Sequence, residues 1–119
     1  MRVYTDADWA GCKRTRKSTS EGLVMLGEQC LKFWARTQQN ITLSSAEAEL
    51  VALVKGSCEG LGMGALMRDM GGEEVGPIEM YTDASAAIGI TQREGGGRTR
   101  HIDVGNLCFY KSCVYHHTL

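Results

Sequence analysis

The apolar and polar positions of this chain fall into short blocks whose spacing changes partway along. Residues 2–8 read as a strand, with successive side chains on opposite faces. A polar, basic connection over 12–20 follows, carrying Lys13, Arg14, Arg16 and Lys17. Two apolar-rich runs at 22–26 and 30–35, separated by Gly27-Glu28-Gln29, have the spacing of a hairpin. Beyond Thr37-Gln38-Gln39-Asn40 the period lengthens. Ser44-Ser45-Ala46-Glu47 is a capping box, so a helix is expected from Ser44 to about Gly56. A second helical piece is expected over 58–70, weakened by Gly60, Gly62 and Gly64 and ended by Gly71-Gly72. Residues 78–82 read as a strand, 84–91 as an alanine-rich helix, 93–100 as a glycine-rich basic loop, and a short helix is possible from His101. Three strands, a helix, a strand and a helix make an α/β order with no internal repeat.

Composition narrows this little. A chain of 119 residues is one domain at most, and its net charge of -1 gives no bulk attraction to nucleic acid, so any such attraction has to be local. Five scattered cysteines with no C-x-x-C pair argue for reduced thiols. No uninterrupted apolar run approaches the roughly 20 residues that span a bilayer, and Met1-Arg2-Val3-Tyr4 leads into a strand instead of a signal peptide. The expectation is a globular, soluble, intracellular protein without a membrane partner.

Acids supply the candidate chemistry. They stand in four settings: Tyr4-Thr5-Asp6-Ala7-Asp8, Ser44-Ser45-Ala46-Glu47-Ala48-Glu49, Tyr81-Thr82-Asp83 and Arg100-His101-Ile102-Asp103. Hard divalent ions take oxygen ligands from several elements, and a pair of them about 4 Å apart suits phosphoryl displacement. Glu47 and Glu49 lie roughly 200° apart around a helix axis, so one face uses only one of them. Glu47 has a local role in the capping box. Glu49 lies in the stripe Ala46, Glu49, Leu50, Leu53, where an ionised carboxylate is costly without a cation or donors, unless it is simply solvated. Asp83 ends a strand, where α/β folds bind ligands, yet an aspartate before an alanine-rich helix is also a favoured cap. Asp6 and Asp8 share a strand face and local pattern does not choose between them; Asp103 equally suits a helix cap.

Taken together, Tyr4-Thr5-Asp6-Ala7-Asp8-Trp9-Ala10-Gly11-Cys12, Arg16-Lys17-Ser18-Thr19-Ser20, Ser44-Ser45-Ala46-Glu47-Ala48-Glu49, Tyr81-Thr82-Asp83 and Arg98-Thr99-Arg100-His101-Ile102-Asp103 resemble the ribonuclease H domain of copia-type retrotransposon polyproteins, in family order over residues 1 to about 107. The resemblance implies a ribonuclease H-like α/β fold: a mixed β-sheet of three antiparallel strands with parallel additions, flanked by α-helices. It implies two Mg²⁺ ions, replaceable by Mn²⁺, on Asp6, Glu49, Asp83 and Asp103. Asp6 would bridge the ions, Glu49 and Asp83 would hold the one near the leaving oxygen, and Asp103 would help hold the one that activates water. The implied reaction is hydrolysis of the RNA strand of an RNA/DNA hybrid, leaving 5′-phosphate and 3′-hydroxyl ends, with a reverse transcriptase domain of the same polyprotein as a partner. Substrate contacts are expected from Arg14, Arg16, Lys17, Ser85, Arg98, Arg100 and His101, with Lys13 and Arg93 as further basic neighbours. Trp9 and Trp34 are expected to pack and not to stack on bases.

Two features depart from the family pattern. Ala84 stands where an asparagine is common, and residues 108–119 resemble nothing in the family, so the expected organisation is a domain over 1–107 and an atypical tail, truncated or frameshifted, over 108–119. These departures favour one alternative, an inactive remnant that binds hybrid or another polyprotein domain. A haloacid-dehalogenase-type phosphatase built on Asp6-x-Asp8 lacks its downstream motifs. A zinc site from Cys108, Cys113, His116 and His117 is cramped by its spacing.

Overall fold

In a computed structural model of the chain, residues 1–73, 75–92 and 113–117 are described, with side chains as far as 89 and again over 113–117. Five strands form one sheet: β1 (Arg2–Asp8), β2 (Thr19–Leu26), β3 (Gln29–Thr37), β4 (Ile78–Thr82) and β5 (Cys113–His117). Their spatial order is β3-β2-β1-β4-β5, with β1, β2 and β3 antiparallel and β4 and β5 added in parallel. This is the mixed sheet expected from the resemblance. The β2–β3 hairpin is tighter than its sequence spacer, since Leu26 pairs with Gln29 and leaves a two-residue loop. Gly27 supplies the positive φ, 60°, that such a loop needs at its first position.

One helix, α1 (Ser45–Asp69), replaces the two helical pieces expected around residue 57. Its start is the capping box: Ser44 Oγ accepts from the Glu47 N–H, and the Glu47 carboxylate reaches back to the Leu43 N–H. Its end is a Schellman motif. The Gly71 N–H donates to Arg68 O and the Gly72 N–H to Met67 O, with Gly71 at φ 77°. Packing overrides the glycine signal between these caps. Gly56 lies against Thr5 and Met80, and Gly60 against Val3 and Ile78, where a Cβ would collide. These two glycines let the helix sit close on the sheet, while Gly62 and Gly64 face open space and cost the helix about 1 kcal/mol each.

The core lies between α1 and one face of the sheet, formed by Val3, Val24, Trp34, Leu50, Leu53, Ile78 and Met80. Ala87 of α2 (Ser85–Gln92) closes it at the β4 end. By length and composition α1 is apolar enough to cross a membrane. Uninterrupted apolar runs did not register this, because Glu47, Glu49, Lys55 and Glu59 break them. Its buried residues Leu50, Ala52, Leu53 and Gly60 make it a core helix of this sheet.

Five residues of the segment expected as an atypical tail form β5, in register with β4 from Ile78↔Cys113 to Thr82↔His117. The basic loop over 93–100 and the short helix from His101 lie outside the described residues. Cys12, Cys30, Cys58 and Cys113 are free thiols. Cys113, His116 and His117 are spread along β5, and the His116 ring stacks on Tyr81 with centroids 4.9 Å apart.

Candidate metal centre at the carboxyl end of the sheet

Parallel pairing of β1 with β4 brings the carboxyl ends of both strands to the same edge. Asp6 stands near the end of β1 and Asp83 directly after β4. Glu49, in the second turn of α1, reaches the same end of β1, where its Oε1 accepts from the Ala7 N–H. The result is a group of three carboxylates from three elements, with one oxygen of each of Asp6, Glu49 and Asp83 lying within 4.8 Å of the others. Asp6 and Asp83 are exposed and Glu49 is half-buried.

Each acid is oriented by its surroundings. The Ala7 N–H is shared between Asp6 Oδ1 at 2.8 Å and Glu49 Oε1 at 3.2 Å, which ties helix to strand at the centre of the group. Thr82 Oγ1, fully buried, accepts from the Ala84 N–H at 3.2 Å and shapes the turn that presents Asp83. Ala84 takes the cap position of α2, its carbonyl accepting from the Ile88 N–H, so Asp83 stands one residue outside the helix. The structure also separates Asp6 from Asp8. The Asp8 carboxylate folds over Gly11, in space a Cβ there would occupy, and stays outside the acid group. Glu47 is engaged at the start of α1.

Glu49 carries the strain of this arrangement. Its Oε2 is buried and finds no hydrogen-bond partner among the described residues. Burial, then the charges of Asp6 and Asp83, push its carboxyl up to about 7 against the pull of the Ala7 N–H. A half-buried carboxylate with an unmatched oxygen and two acidic neighbours is a donor set arranged for a cation. Oxygen-only ligands from three elements match the preference of hard divalent ions.

Of the expected substrate-contact residues, Arg14 and Arg16 are exposed and Lys17 half-buried in the connection between β1 and β2, where Arg16 takes a positive φ of 59°. Ser85 is exposed at the start of α2, two residues from Asp83. Asp103, Arg98, Arg100 and His101 lie outside the described residues. Trp34 packs in the core, as expected, at 8% exposure. Trp9, expected to pack as well, is 48% exposed. The Ala7 amide that positions Glu49 left no trace in the sequence, since any residue supplies a backbone N–H.

No protein-family model matches the chain. The retrovirus-related Pol polyprotein from transposon TNT 1-94 of Nicotiana tabacum is 29% identical over 105 residues, 87% of this chain and 8% of that protein. The corresponding polyprotein from transposon RE1 of Arabidopsis thaliana is 31% identical over 83 residues, 70% of this chain and 6% of that protein. The chain therefore spans under a tenth of the length of these relatives. Among solved structures, a ribonuclease H1 isolated from compost by a metagenomic approach superposes with a TM-score of 0.68 at 16% identity, covering 98% of this chain and 82% of that one. The chain thus has the ribonuclease H fold and is related in sequence to the Pol polyproteins of transposons, consistent with a ribonuclease H domain of a retrotransposon polyprotein.

Proposed function

We propose that this chain is the ribonuclease H domain of a copia-type Pol polyprotein, a Mg²⁺-dependent endoribonuclease that hydrolyses the RNA strand of RNA/DNA hybrids inside the cell. The observation that carries this reading is the convergence of Asp6, Glu49 and Asp83 at the carboxyl end of the sheet, with Glu49 Oε2 buried and unmatched among the described residues. The donor set fits Mg²⁺, or Mn²⁺, and Asp103 would join it as the fourth carboxylate. Bound there, divalent ions would supply a nucleophile at neutral pH and offset charge on the phosphate.

The chain's own residues do the positioning. Asp6 stands near the carboxyl end of β1, within reach of the other two acids. Glu49 is held by the Ala7 amide, and Asp83 by the turn that Thr82 stabilises. Cation binding would displace a proton from Glu49, because burial and then the charges of Asp6 and Asp83 lift its carboxyl to about 7. Arg14, Arg16 and Lys17, with Ser85 near Asp83 and with Arg98, Arg100 and His101, would track the phosphate backbone. Such contacts read shape and the 2′-hydroxyls and give little base specificity. A reverse transcriptase domain of the same polyprotein would share the hybrid.

The test is cleavage of an end-labelled RNA/DNA hybrid with Mg²⁺ by the wild type, Asp6→Asn and Glu49→Gln, with duplex DNA as control. Cutting confined to the RNA strand and lost in both variants is the expected result. A folded wild type that leaves the hybrid intact, with Mn²⁺ as well, would sink the enzymatic reading and favour the inactive remnant.

A further inference from the structure

Beside the acid group stands an apolar surface that the fold does not use. Trp9 follows β1 by one residue and Asp6 by three, and it is 48% exposed. Its Nε1–H donates to the Thr42 carbonyl at 3.3 Å. Thr42 Oγ1 lies 3.0 Å from Ser18 Oγ, which accepts from the Ala10 N–H at 2.9 Å, and the Gln38 N–H donates to Ser18 O at 2.8 Å. The loop after β1 and the loop before α1 are thereby tied together. The indole's only polar atom is spent within the protein, so what it offers outward is apolar. The neighbours of Thr42 extend this surface, Ile41 being 58% and Leu43 75% exposed. The core lies elsewhere, under α1, and none of these three side chains belongs to it. Large exposed apolar groups on two loops held together by the Trp9–Thr42 hydrogen bond, one of them three residues from Asp6, suit a binding surface.

Position and charge indicate the occupant. Three residues of chain reach at most about 10 Å, so a strand whose phosphate would be held over the acid group by a divalent cation has its adjoining sugars within reach of Trp9. The same loop carries the exposed Lys13, Arg14 and Arg16, which attract phosphates and give the apolar patch a cationic border. We infer that Trp9, with Ile41 and Leu43, is a positioning platform that packs against the sugar and base edge of the RNA strand next to the phosphate to be cut. This rests on the ribonuclease reading above and adds to it residues that set where along the strand the phosphate is presented. The platform excludes water on one side of the phosphate and touches no reacting atom.

The test uses the intact chain and a 20-base-pair RNA/DNA hybrid held uncut in Ca²⁺. Since Trp34 is buried, acrylamide quenching of intrinsic fluorescence reports chiefly on Trp9. Hybrid should shield it. In Mg²⁺, Ile41→Ser with Leu43→Ser should raise KM roughly tenfold, the scale of one lost stacking contact, with kcat within about twofold. Trp9→Phe should keep KM near wild type, and Trp9→Ser should match the double variant. The two loop positions are exposed, so their replacement leaves folding intact even if Trp9→Ser does not. A hybrid that is bound and cut while quenching and KM stay unchanged would overturn the platform and leave the ribonuclease standing. A folded wild type that neither binds nor cuts the hybrid would overturn both.

Discussion

Glu49 and Glu59 lie ten residues apart on the same helix and meet opposite surroundings. Glu59 is bracketed by Lys32 of β3 at 2.5 Å and Lys55 at 2.6 Å, and these hydrogen bonds hold its carboxyl below the usual glutamate range. Glu49 is bracketed by Asp6 and Asp83, and burial with their charges lifts its carboxyl to about 7. One region of α1 is balanced by lysines; the other, among the described residues, faces only like charge. The difference separates a structural charge from a functional one more sharply than exposure does, since both side chains are part-buried.

The sharpest way to break this comparison is to neutralise the unbalanced end. Asp83→Asn should lower hybrid cleavage by roughly a hundredfold or more, the size of losing one preorganised electrostatic contact in a transition state, measured as kcat on a labelled hybrid. The same variant should raise the melting temperature in metal-free buffer at pH 8, because it removes a like charge beside Glu49. A variant that cuts normally, or melts earlier without metal, would place Glu49 among ordinary solvated acids.

Next in size is the contact that sets the helix on the sheet. Gly56→Ala should destabilise the fold by about 1–3 kcal/mol in urea titration, since its Cβ meets Thr5 Cγ2 and Met80 Cε and the sheet has to yield. Gly62→Ala, facing open space, should instead stabilise by up to about 1 kcal/mol. A smaller effect follows from the titration of Glu49. Folded, it titrates near 7, and unfolded near the ordinary 4.5, so between these values the folded chain holds the extra proton. The stability this group contributes is complete below about pH 4.5 and is lost as pH rises through about 7. Millimolar Mg²⁺ should therefore raise the melting temperature more at pH 8 than at pH 6, and Glu49→Gln should abolish that difference. Least affected is the balanced end: Lys32→Met should change stability by no more than about 1 kcal/mol, as exposed ion pairs do.

Much of the fold was legible in the sequence because local signals agreed with the packing. The capping box at Ser44, the strand at 78–82 and the double glycine after Met70 all stand where the structure has a helix start, a strand and a helix end. Legibility failed where long-range contact decides. Gly56 read as the end of one helix and Gly60 as a weak point in the next, yet it is the close approach of β1 and β4 that makes a side chain at either unwelcome. The segment 113–117 has no distinctive pattern and becomes a strand by pairing with β4. At the site, residue type and order brought attention to Asp6, Glu49 and Asp83; local pattern left Asp6 and Asp8 equal, the family resemblance favoured Asp6, and the physical reason, the Asp8 carboxylate folded over Gly11, is visible only in three dimensions. Trp9 read as packing because aromatics usually are buried, and its loop-to-loop hydrogen bond to Thr42 is invisible in one dimension.

The placement of β5 bears on how this chain associates. Without Cys113–His117, β4 would become the sheet's edge, presenting the unpaired backbone of Ile78-Glu79-Met80-Tyr81-Thr82 to any passing strand. A piece shortened to residue 107 should therefore aggregate as it refolds, and light scattering of that piece against the full chain would reveal β5 as a guard against self-templating.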